Sequence, residues 1–352
     1  MRLAIFLLTI GVAAGGLFIF FSPETTQEEL GVSLSWEESL GQLFLIGFEG
    51  TEVTPGLVSL MEEIKPGGVL LLSRNIETKA QVARLVEDLQ ALSLEKTGLP
   101  LFVAVDQEGG IVSRVPFVER TPQSSIRDTE HAFQVGQERA KDLRELGVNM
   151  NLAPVLDSNN PRDFLYNRTF QKGKELLVSL AEALIAGHEQ EGVVSVPKHF
   201  PGYDGVRFNP EVTIVPSVSS FPDTFVFEDL FSKHLFPFVM VSHVKYEDFD
   251  RENVFPFSSK GIALTKERLG RNVLVMSDDI VSLAFLREFS YEEISTNALE
   301  AGVDVMIAAG YPEAHVVSEF YRAMVEEIEK NPALQELVQE RAAKVIKAKK
   351  GL

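Results

Sequence analysis

An α/β fold built on eight parallel strands, a (β/α)8 barrel, is predicted by three features of this 352-residue sequence. Short apolar runs rich in β-branched and aromatic residues alternate with longer amphipathic stretches, which is the pattern of βα units around a parallel sheet. Eight such runs are present, as in a barrel, and glycine precedes several of them, as expected where a helix ends. No change of composition divides the chain after residue 36. The sequence therefore predicts one domain over residues 37–352, with a doubly wound open sheet as the alternative.

The eight runs follow one another at intervals long enough to hold a helix. They are residues 43–48, 68–73, 101–106, 148–157, 193–200, 238–244, 273–279 and 303–309. Two of the predicted helices between them are 79–92 and 174–192, in which apolar residues recur at helical spacing. The glycines predicted to end helices are Gly67, Gly147, Gly192 and Gly302.

The start of the chain is predicted to be separate from this domain. Residues 3–21 carry no charge, and at about 1.5 Å per residue they would make roughly 28 Å of helix, close to the thickness of a bilayer. An arginine precedes this segment and glutamates follow it, so the positive-inside rule leaves the rest of the chain outside the cytoplasm. We therefore expect a membrane anchor in residues 1–22, a polar stalk in 23–36 and a tethered domain. Secretion after cleavage of a signal sequence near residues 13–14 is the alternative.

Composition excludes several classes of protein. The chain has 33 Lys and Arg against 51 Asp and Glu, a net charge of −18, which repels polyphosphate and makes a nucleic-acid partner unexpected. It has no cysteine, so disulfides, thiolate metal sites and cysteine nucleophiles are excluded. A hydrophobic content of 45% is that of a packed globular domain and excludes a disordered chain.

Ionisable residues stand at the C-terminal ends of five runs. They are Asp106, Asp157, Lys198 with His199, His243 and Asp278. In a barrel these ends share one face, and that face carries the active site. Taken singly, Asp157 is favoured as a turn or helix cap because SNNP follows it, and His243 is equally well interpreted as a core histidine. Taken together, the set predicts a functional site.

Two motifs, VAVDQEGGIVSRV (103–115) and SVPKHFPG (195–202), resemble glycoside hydrolase family 3, and in particular its single-domain β-N-acetylglucosaminidase branch. Further matches follow in the family's order at residues 35–50, 65–76, 143–157, 167–170, 238–246 and 273–280. The resemblance implies a retaining hydrolase acting on terminal β-linked N-acetylglucosamine in cell-wall or related glycans. It implies neither a metal nor an organic cofactor.

The resemblance also implies roles for individual residues. The family's nucleophile corresponds to Asp278, and the adjacent Asp279 is the better candidate for the N-cap of the next helix. Carboxylates suit a sugar because they accept hydrogen bonds from adjacent hydroxyls. The residues that the resemblance assigns to substrate binding are Asp106, Arg114, Arg168, Lys198 and His199.

The family's acid/base dyad is absent from this sequence. Family members follow KHFPG with HG, a spacer and an Asp-x-His pair on a mobile loop, and this His is the general acid/base. Here Tyr203 replaces the first His, and Asn209 and Glu211 occupy the positions of the pair. Glu211 is therefore the first candidate for a substitute acid/base, and Asp204 is the weaker one. The alternatives are a degenerate glycan-binding pseudoenzyme on the same barrel, or a β-glycosidase of different sugar specificity.

Overall fold

The computed structural model describes four stretches of the chain. They are residues 31–157, 160–233, 236–309 and 315–350. The predicted anchor and most of the predicted stalk lie outside the described residues. Within these four stretches, no helix is long and apolar enough to cross a membrane. The last two residues of the predicted stalk, Ser35 and Trp36, are the N-cap and first residue of a helix.

Eight parallel strands, one from each predicted run, form a curled central sheet. They are β1 (Phe44–Ile46), β2 (Gly68–Leu71), β3 (Phe102–Val105), β4 (Met150–Asn151), β5 in two pieces (Val194–Ser195 and Lys198–Phe200), β6 (Phe238–Val241), β7 (Leu274–Asp279) and β8 (Val305–Ala308). Their order is β5–β4–β3–β2–β1–β8–β7–β6–β5, because the first piece of β5 pairs with β4 and the second with β6. The predicted α/β fold with a parallel sheet is confirmed.

Helices precede the first strand, connect the successive strands and follow the last one. They are α1 (Trp36–Gln42), α2 (Pro55–Ile64), α3 (Lys79–Thr97), α4 (Thr129–Glu145), α5 (Lys174–Gln190), α6 (Phe225–Lys233), α7 (Ser259–Leu269), α8 (Leu283–Glu288), α9 (Tyr291–Ala301), α10 (His315–Glu329) and α11 (Pro332–Lys349). Every residue of β1, β2, β3, β6 and β8 is buried, as expected for a parallel sheet with both faces covered. The predicted helix at 79–92 extends to Thr97, where Gly98 ends it.

Of two glycines predicted to end helices, Gly302 and Gly67, only Gly302 does so. Gly302 ends α9 in the left-handed region, with φ of 116°, as predicted. The prediction for Gly67 is wrong, because Lys65 ends α2 with φ of 50°. A Cβ on Gly67 would lie 2.1 Å from the carbonyl oxygen of Gln42, so the glycine is required for close packing instead.

Short elements shape the loops that follow β2 to β6. A hairpin of Gln107–Gly109 and Val112–Ser113 follows β3. A parallel pair of Ser217–Val218 and Lys245–Tyr246 ties the loop after β5 to the loop after β6. Single turns of 3₁₀ helix occupy Ser73–Asn75, Gln123–Ser125, Tyr166–Arg168 and Phe255–Phe257. These loops lie at the carboxyl ends of the strands, where the predicted site residues are.

Candidate active site

Four charged side chains from three parts of the chain form a connected group at the carboxyl ends of β3 and β5, which we call the ion-pair network: Asp106, Glu108, Arg168 and Lys198. The Lys198 Nζ lies 2.7 Å from Asp106 Oδ1 and 2.7 Å from Glu108 Oε1. Arg168 binds Glu108 through two hydrogen bonds, from Nε at 2.9 Å and from Nη2 at 2.7 Å. Positive and negative groups therefore alternate along the network.

This alternation keeps the four groups ionised despite their burial. Burial acts to raise the pKa of both carboxyls. Lys198 and Arg114 outweigh it at Asp106, and Arg168 and Lys198 outweigh it at Glu108, so both pKa values are lowered. Burial acts to lower the pKa of Lys198, but the two carboxylates raise it above its ordinary value. Within the described residues, no group of three or more His, Asp and Glu side chains is placed to hold a metal ion.

Glu108 belongs to the site although the sequence analysis did not single it out. It precedes Gly109 and Gly110, which turn the hairpin with φ of 93° and 65°, a conformation that favours glycine. A Cβ on Gly109 would lie 2.1 Å from a backbone carbonyl oxygen. The buried Arg139 donates a hydrogen bond of 3.0 Å to the Glu108 carbonyl oxygen. The two glycines of the DQEGG motif thus place Glu108 against Lys198 and Arg168.

Part of the network faces solvent. The Asp106 side chain is 15% exposed and that of Arg168 is 17% exposed, whereas that of Lys198 is 2% exposed. Arg114 lies beside Asp106, with its Nη2 3.8 Å from Asp106 Oδ2. Asp106, Arg114 and Arg168 therefore have surface available to a ligand, while Lys198 holds the two carboxylates in place.

Asp278 lies at the carboxyl end of β7, and both of its carboxylate oxygens accept hydrogen bonds. The Tyr203 hydroxyl donates to Oδ2 at 3.0 Å, and the backbone N–H of Asp279 donates to Oδ1 at 3.0 Å. The His199 Nε2 is 3.9 Å from Oδ2. Burial acts to raise the pKa of Asp278, but His199 and Lys198 outweigh it and the pKa is lowered. Asp278 is thus an ionised carboxylate at neutral pH.

Asp157 binds residues far along the chain, which its interpretation as a turn or helix cap did not predict. Its carboxylate is buried, and its Oδ2 lies 2.7 Å from His199 Nδ1. The same carboxylate accepts the backbone N–H groups of His199 at 3.2 Å and Tyr203 at 2.8 Å. Asp157 therefore orients the imidazole of His199 and the start of the following loop, because a carboxylate can accept several hydrogen bonds at once.

His243, for which two interpretations were open, is a buried neutral histidine close to Asp278. Burial lowers its pKa to about 4. Its ring centroid lies 4.1 Å from that of Phe285, and among the described residues its Nε2 has no hydrogen-bond partner. Its backbone N–H donates to the Tyr203 hydroxyl oxygen at 3.0 Å. His243 therefore contributes to the site through packing and its backbone amide.

The prediction that Asp279 caps the next helix is also wrong. α8 begins at Leu283, with Ser282 as its N-cap residue. The Asp279 Oδ1 accepts the backbone N–H groups of Val281 at 3.2 Å and Ala309 at 3.1 Å. Burial raises the pKa of this carboxyl to about 7, and the negative charge of Asp278 adds to the rise. Asp279 joins the end of β7 to the residue that follows β8.

Residues 203–216, which we call the acid loop, lie against α8. The backbone N–H of Ala284 donates to the Glu211 carbonyl oxygen at 2.9 Å. The Arg287 guanidinium donates to the next two carbonyl oxygens of the loop, at 2.9 and 2.8 Å. The Glu288 carboxylate accepts the N–H of Val215 at 3.1 Å. Because α8 follows the strand that carries Asp278, these contacts hold Glu211 in the same site.

The Glu211 carboxyl interacts electrostatically with Asp278. The pKa of this carboxyl is raised to about 8, first because neighbouring protein atoms desolvate it and then because Asp278 and Asp279 are negatively charged. The residue nevertheless remains exposed to solvent, so water screens part of this rise. The Glu211 carboxyl therefore keeps its proton to a higher pH than an ordinary glutamate does.

Asp204 occupies a different part of the acid loop. The Asp204 side chain lies beside Gly202, because a Cβ built on that glycine would be 3.1 Å from Asp204 Oδ1. Burial raises the pKa of Tyr246, and the charge of Asp204 adds to that rise. The structure thus places Asp204 in electrostatic contact with Tyr246, whereas it places Glu211 in electrostatic contact with Asp278.

Comparison with known proteins identifies relatives of the whole domain. Residues 35–348 match the family model described as "Glycosyl hydrolase family 3 N terminal domain". The chain is 31% identical over 294 residues to a "Beta-hexosaminidase" of Thioalkalivibrio sulfidiphilus, covering 78% of this chain and 82% of that protein. It is 30% identical over 297 residues to a "Beta-hexosaminidase" of Xylella fastidiosa, covering 77% of this chain and 84% of that protein.

Solved structures agree with these matches. A β-N-acetylhexosaminidase from Beutenbergia cavernae superimposes with a TM-score of 0.82 at 28% identity, covering 91% of this chain and 99% of that chain. A glycoside hydrolase family 3 β-N-acetylglucosaminidase from a Paenibacillus species superimposes with a TM-score of 0.81 at 26% identity, covering 90% of this chain and 64% of that chain.

Proposed function

This chain is a glycoside hydrolase and belongs to family 3, and from that premise we propose that it is an exo-acting, retaining enzyme that releases terminal β-linked N-acetylglucosamine from cell-wall or related glycans. Relatives named β-hexosaminidase and β-N-acetylglucosaminidase support this choice of sugar. One observation carries the proposal. Two interacting carboxyl groups have pKa values shifted in opposite directions, that of Asp278 lowered and that of Glu211 raised, which is the arrangement that separates a nucleophile from an acid.

In the first step the ionised Asp278 attacks the anomeric carbon of the sugar. The bond between that carbon and the glycosidic oxygen breaks as the Glu211 carboxyl gives its proton to the departing oxygen. The products are a glycosyl ester on Asp278, a Glu211 carboxylate and the free alcohol of the leaving group.

In the second step the Glu211 carboxylate takes a proton from water, whose oxygen attacks the anomeric carbon. The ester bond breaks, Asp278 leaves as a carboxylate, and Glu211 is protonated again. The sugar is released with its original anomeric configuration, because the reaction inverts that carbon twice. Glu211 acts in both steps, and the contacts between α8 and the acid loop keep it in position for each.

Substrate binding is assigned to the ion-pair network and its neighbours. Asp106 accepts hydroxyl protons from the sugar, and Arg168 and Arg114 donate to its oxygens. Lys198 and His199 are predicted to contact the sugar as well. Their buried side chains also hold Asp106, Glu108 and Asp278 in place, so they orient the groups that the sugar meets first.

The setting of the site forms a further part of the proposal. We interpret the cyclic strand order as a complete (β/α)8 barrel with the site at its carboxyl face. We also propose that residues 1–22 anchor the domain outside the cytoplasm. The full chain is then expected to stay in the membrane fraction after a carbonate wash, with its N-terminus intact. A soluble species beginning near residue 15 or 23 would show that the segment is a cleaved signal sequence.

The reaction is tested with the full chain and two activated substrates, an aryl N-acetylglucosaminide and the matching aryl glucoside. We expect turnover of the first, weaker or no turnover of the second, and loss of turnover in Asp278→Ala. Aryl leaving groups depart with little help from an acid, so this test does not depend on Glu211. Turnover of the glucoside alone would overturn the choice of sugar. Binding of N-acetylglucosamine without any turnover would identify a pseudoenzyme.

A further inference from the structure

Tyr203 is the residue of the acid loop that touches the proposed nucleophile, and it stands where the family resemblance expects a histidine. Its hydroxyl lies between two groups, 3.0 Å from the backbone nitrogen of His243 and 3.0 Å from Asp278 Oδ2. A backbone N–H can only donate and an ionised carboxylate can only accept. The hydroxyl therefore accepts from His243 and donates its own proton to Asp278.

The phenol is held firmly at this position. The backbone N–H of Tyr203 donates to Asp157 Oδ1 at 2.8 Å. Its ring packs edge-on against the imidazole of His199, with 5.0 Å between ring centroids and 84° between ring planes. The residue is 3% exposed. Asp157 thus fixes both His199 and Tyr203, the two side chains that flank Oδ2 of Asp278.

This hydrogen bond has a counterpart on the other carboxylate oxygen, where the backbone N–H of Asp279 donates to Oδ1 at 3.0 Å. One donor on each oxygen fixes the rotation of the carboxylate about its Cβ–Cγ bond. The donor on Oδ1 is a backbone amide, which no side-chain substitution removes. The donor on Oδ2 is a side chain, so this half of the arrangement depends on Tyr203. Burial, with the Asp278 charge added to it, raises the pKa of the Tyr203 phenol well above 10, so it remains a donor at working pH.

We propose that Tyr203 is the positioning residue of the nucleophile: its hydroxyl keeps the Asp278 carboxylate aimed at the anomeric carbon, and it continues to hydrogen-bond the ester after the sugar is attached. This inference rests on the proposed role of Asp278 as nucleophile. No proton leaves Tyr203 in either step, because Glu211 supplies the proton to the leaving group and recovers it from water. Tyr203 acts by a hydrogen bond that persists while the charge on Asp278 disappears and returns.

Replacing Tyr203 by Phe keeps the ring and removes the donor. Loss of a hydrogen bond to a charged group is worth about ten- to hundredfold in kcat/KM. The neutral form of Asp278 then becomes easier to populate, so the acid limb of the pH profile moves upward by about one pH unit. The other titratable or charged groups around Asp278 are His199, His243, Lys198, Asp279 and Glu211, and the substitution leaves each of them in place.

The experiment measures kcat/KM against pH for the full chain with the activated aryl N-acetylglucosaminide, together with thermal unfolding. Tyr246→Phe is the matched control, because Tyr246 is also buried and its hydroxyl binds the Gly202 carbonyl oxygen at 2.5 Å and the Ser242 hydroxyl at 2.7 Å. Tyr203→Phe is expected to move the acid limb, and Tyr246→Phe to leave it where it is in the wild type.

Three results would overturn the inference. One is an unchanged acid limb and rate in Tyr203→Phe. Another is an equal movement of the limb in Tyr246→Phe. The third is a Tyr203→Phe chain that no longer unfolds cooperatively while Tyr246→Phe does, which would give Tyr203 a structural role. Failure of the proposed function is separate, because it appears as activity that survives Asp278→Ala.

Discussion

The ion-pair network and the acid loop differ in how they are held. In the network, partly or fully buried side chains from the ends of β3 and β5 and from the loop after β4 bind one another at distances of 2.7 Å. In the acid loop, Glu211 is exposed, and contacts from Ala284, Arg287 and Glu288 of α8 reach the loop backbone. The difference shows that the ion-pair network is held by its own side chains, whereas the acid loop is held to α8 through its main chain.

The largest effect is expected for Lys198→Met in the network. Removing this cation leaves two buried carboxylates without their shared partner, so the free energy of unfolding should fall by about 3–5 kcal/mol, and kcat/KM should fall with it. Denaturant unfolding measures the first and turnover of the aryl substrate measures the second. Lys344→Met is the control, because Lys344 forms an exposed ion pair with Glu340 and its loss should cost about 0–1 kcal/mol. Equal destabilisation by Lys198→Met and Lys344→Met would contradict this difference between the buried network and an exposed ion pair.

Glu211→Gln is expected to act on chemistry alone. A sugar alcohol needs a proton to leave and an activated aryl group does not, so the first step on a chitooligosaccharide should slow by about 10²–10⁴-fold while the first step on the aryl substrate changes little. Azide should restore turnover of the aryl substrate, because a small anion resolves the glycosyl ester without a general base. The free energy of unfolding should be unchanged within about 0.5 kcal/mol.

Asp204→Asn is the comparison for this prediction, since Asp204 lies on the same loop but acts on Tyr246. If both variants behaved as wild type on both substrates, no carboxylate of the loop would be the acid. If Asp204→Asn alone showed the dependence on leaving group, the assignment of the two residues would be reversed.

Arg287→Ala tests whether α8 holds Glu211 in place. The variant loses the donors to two carbonyl oxygens of the acid loop, so hydrolysis of the chitooligosaccharide should fall about tenfold. Activity on the aryl substrate should change less. Arg251→Ala is the control, because the exposed Arg251 also donates to a carbonyl oxygen of its own loop, that of Glu247 at 3.0 Å. A fall of the same size on both substrates would indicate a general loosening rather than loss of the acid.

The smallest effect concerns pH. Glu211 must be protonated to act as an acid, so hydrolysis of a substrate with a poor leaving group should decline as pH rises through its raised pKa, which is about 8 and lower where water screens it. With the aryl substrate the decline should be weaker. Asp279 has a pKa of about 7, so Asp279→Asn is needed as a control. A base limb that is the same for both substrates and disappears in Asp279→Asn would assign that limb to Asp279.

Much of this site could be predicted because its signals are local. Asp106, Lys198 and Asp278 each end an apolar run, and parallel strands bring their carboxyl ends to one face whatever the intervening loops contain. Glu211 is predicted by counting along the loop from KHFPG, and its role stays a prediction. The interpretation of Asp157 as a turn or helix cap did not include its partners His199 and Tyr203, because they lie more than 40 residues away and a local pattern cannot report them.

Glu108 shows the same limit of local patterns, here as a site residue that the sequence did not predict. A glutamate between Gln107 and two glycines gives no local reason to expect burial, since acidic residues are seldom buried unless paired. Its partners Arg168 and Lys198 are 60 and 90 residues further along the chain. The signal available in the sequence was its place two residues after Asp106 on a turn that requires glycine.

The sequence by itself determined the eight-strand α/β fold, the face that carries the site and the family, because these depend on periodic apolar burial and on motifs contiguous in the chain. Only the tertiary structure decided which charged groups neutralise one another, that Tyr203 binds Asp278, that Asp279 bridges β7 and β8 instead of capping α8, and that α8 holds Glu211. The physical reason is range: hydrophobic periodicity repeats within a few residues, whereas these hydrogen bonds and ion pairs join groups 30 to 92 residues apart.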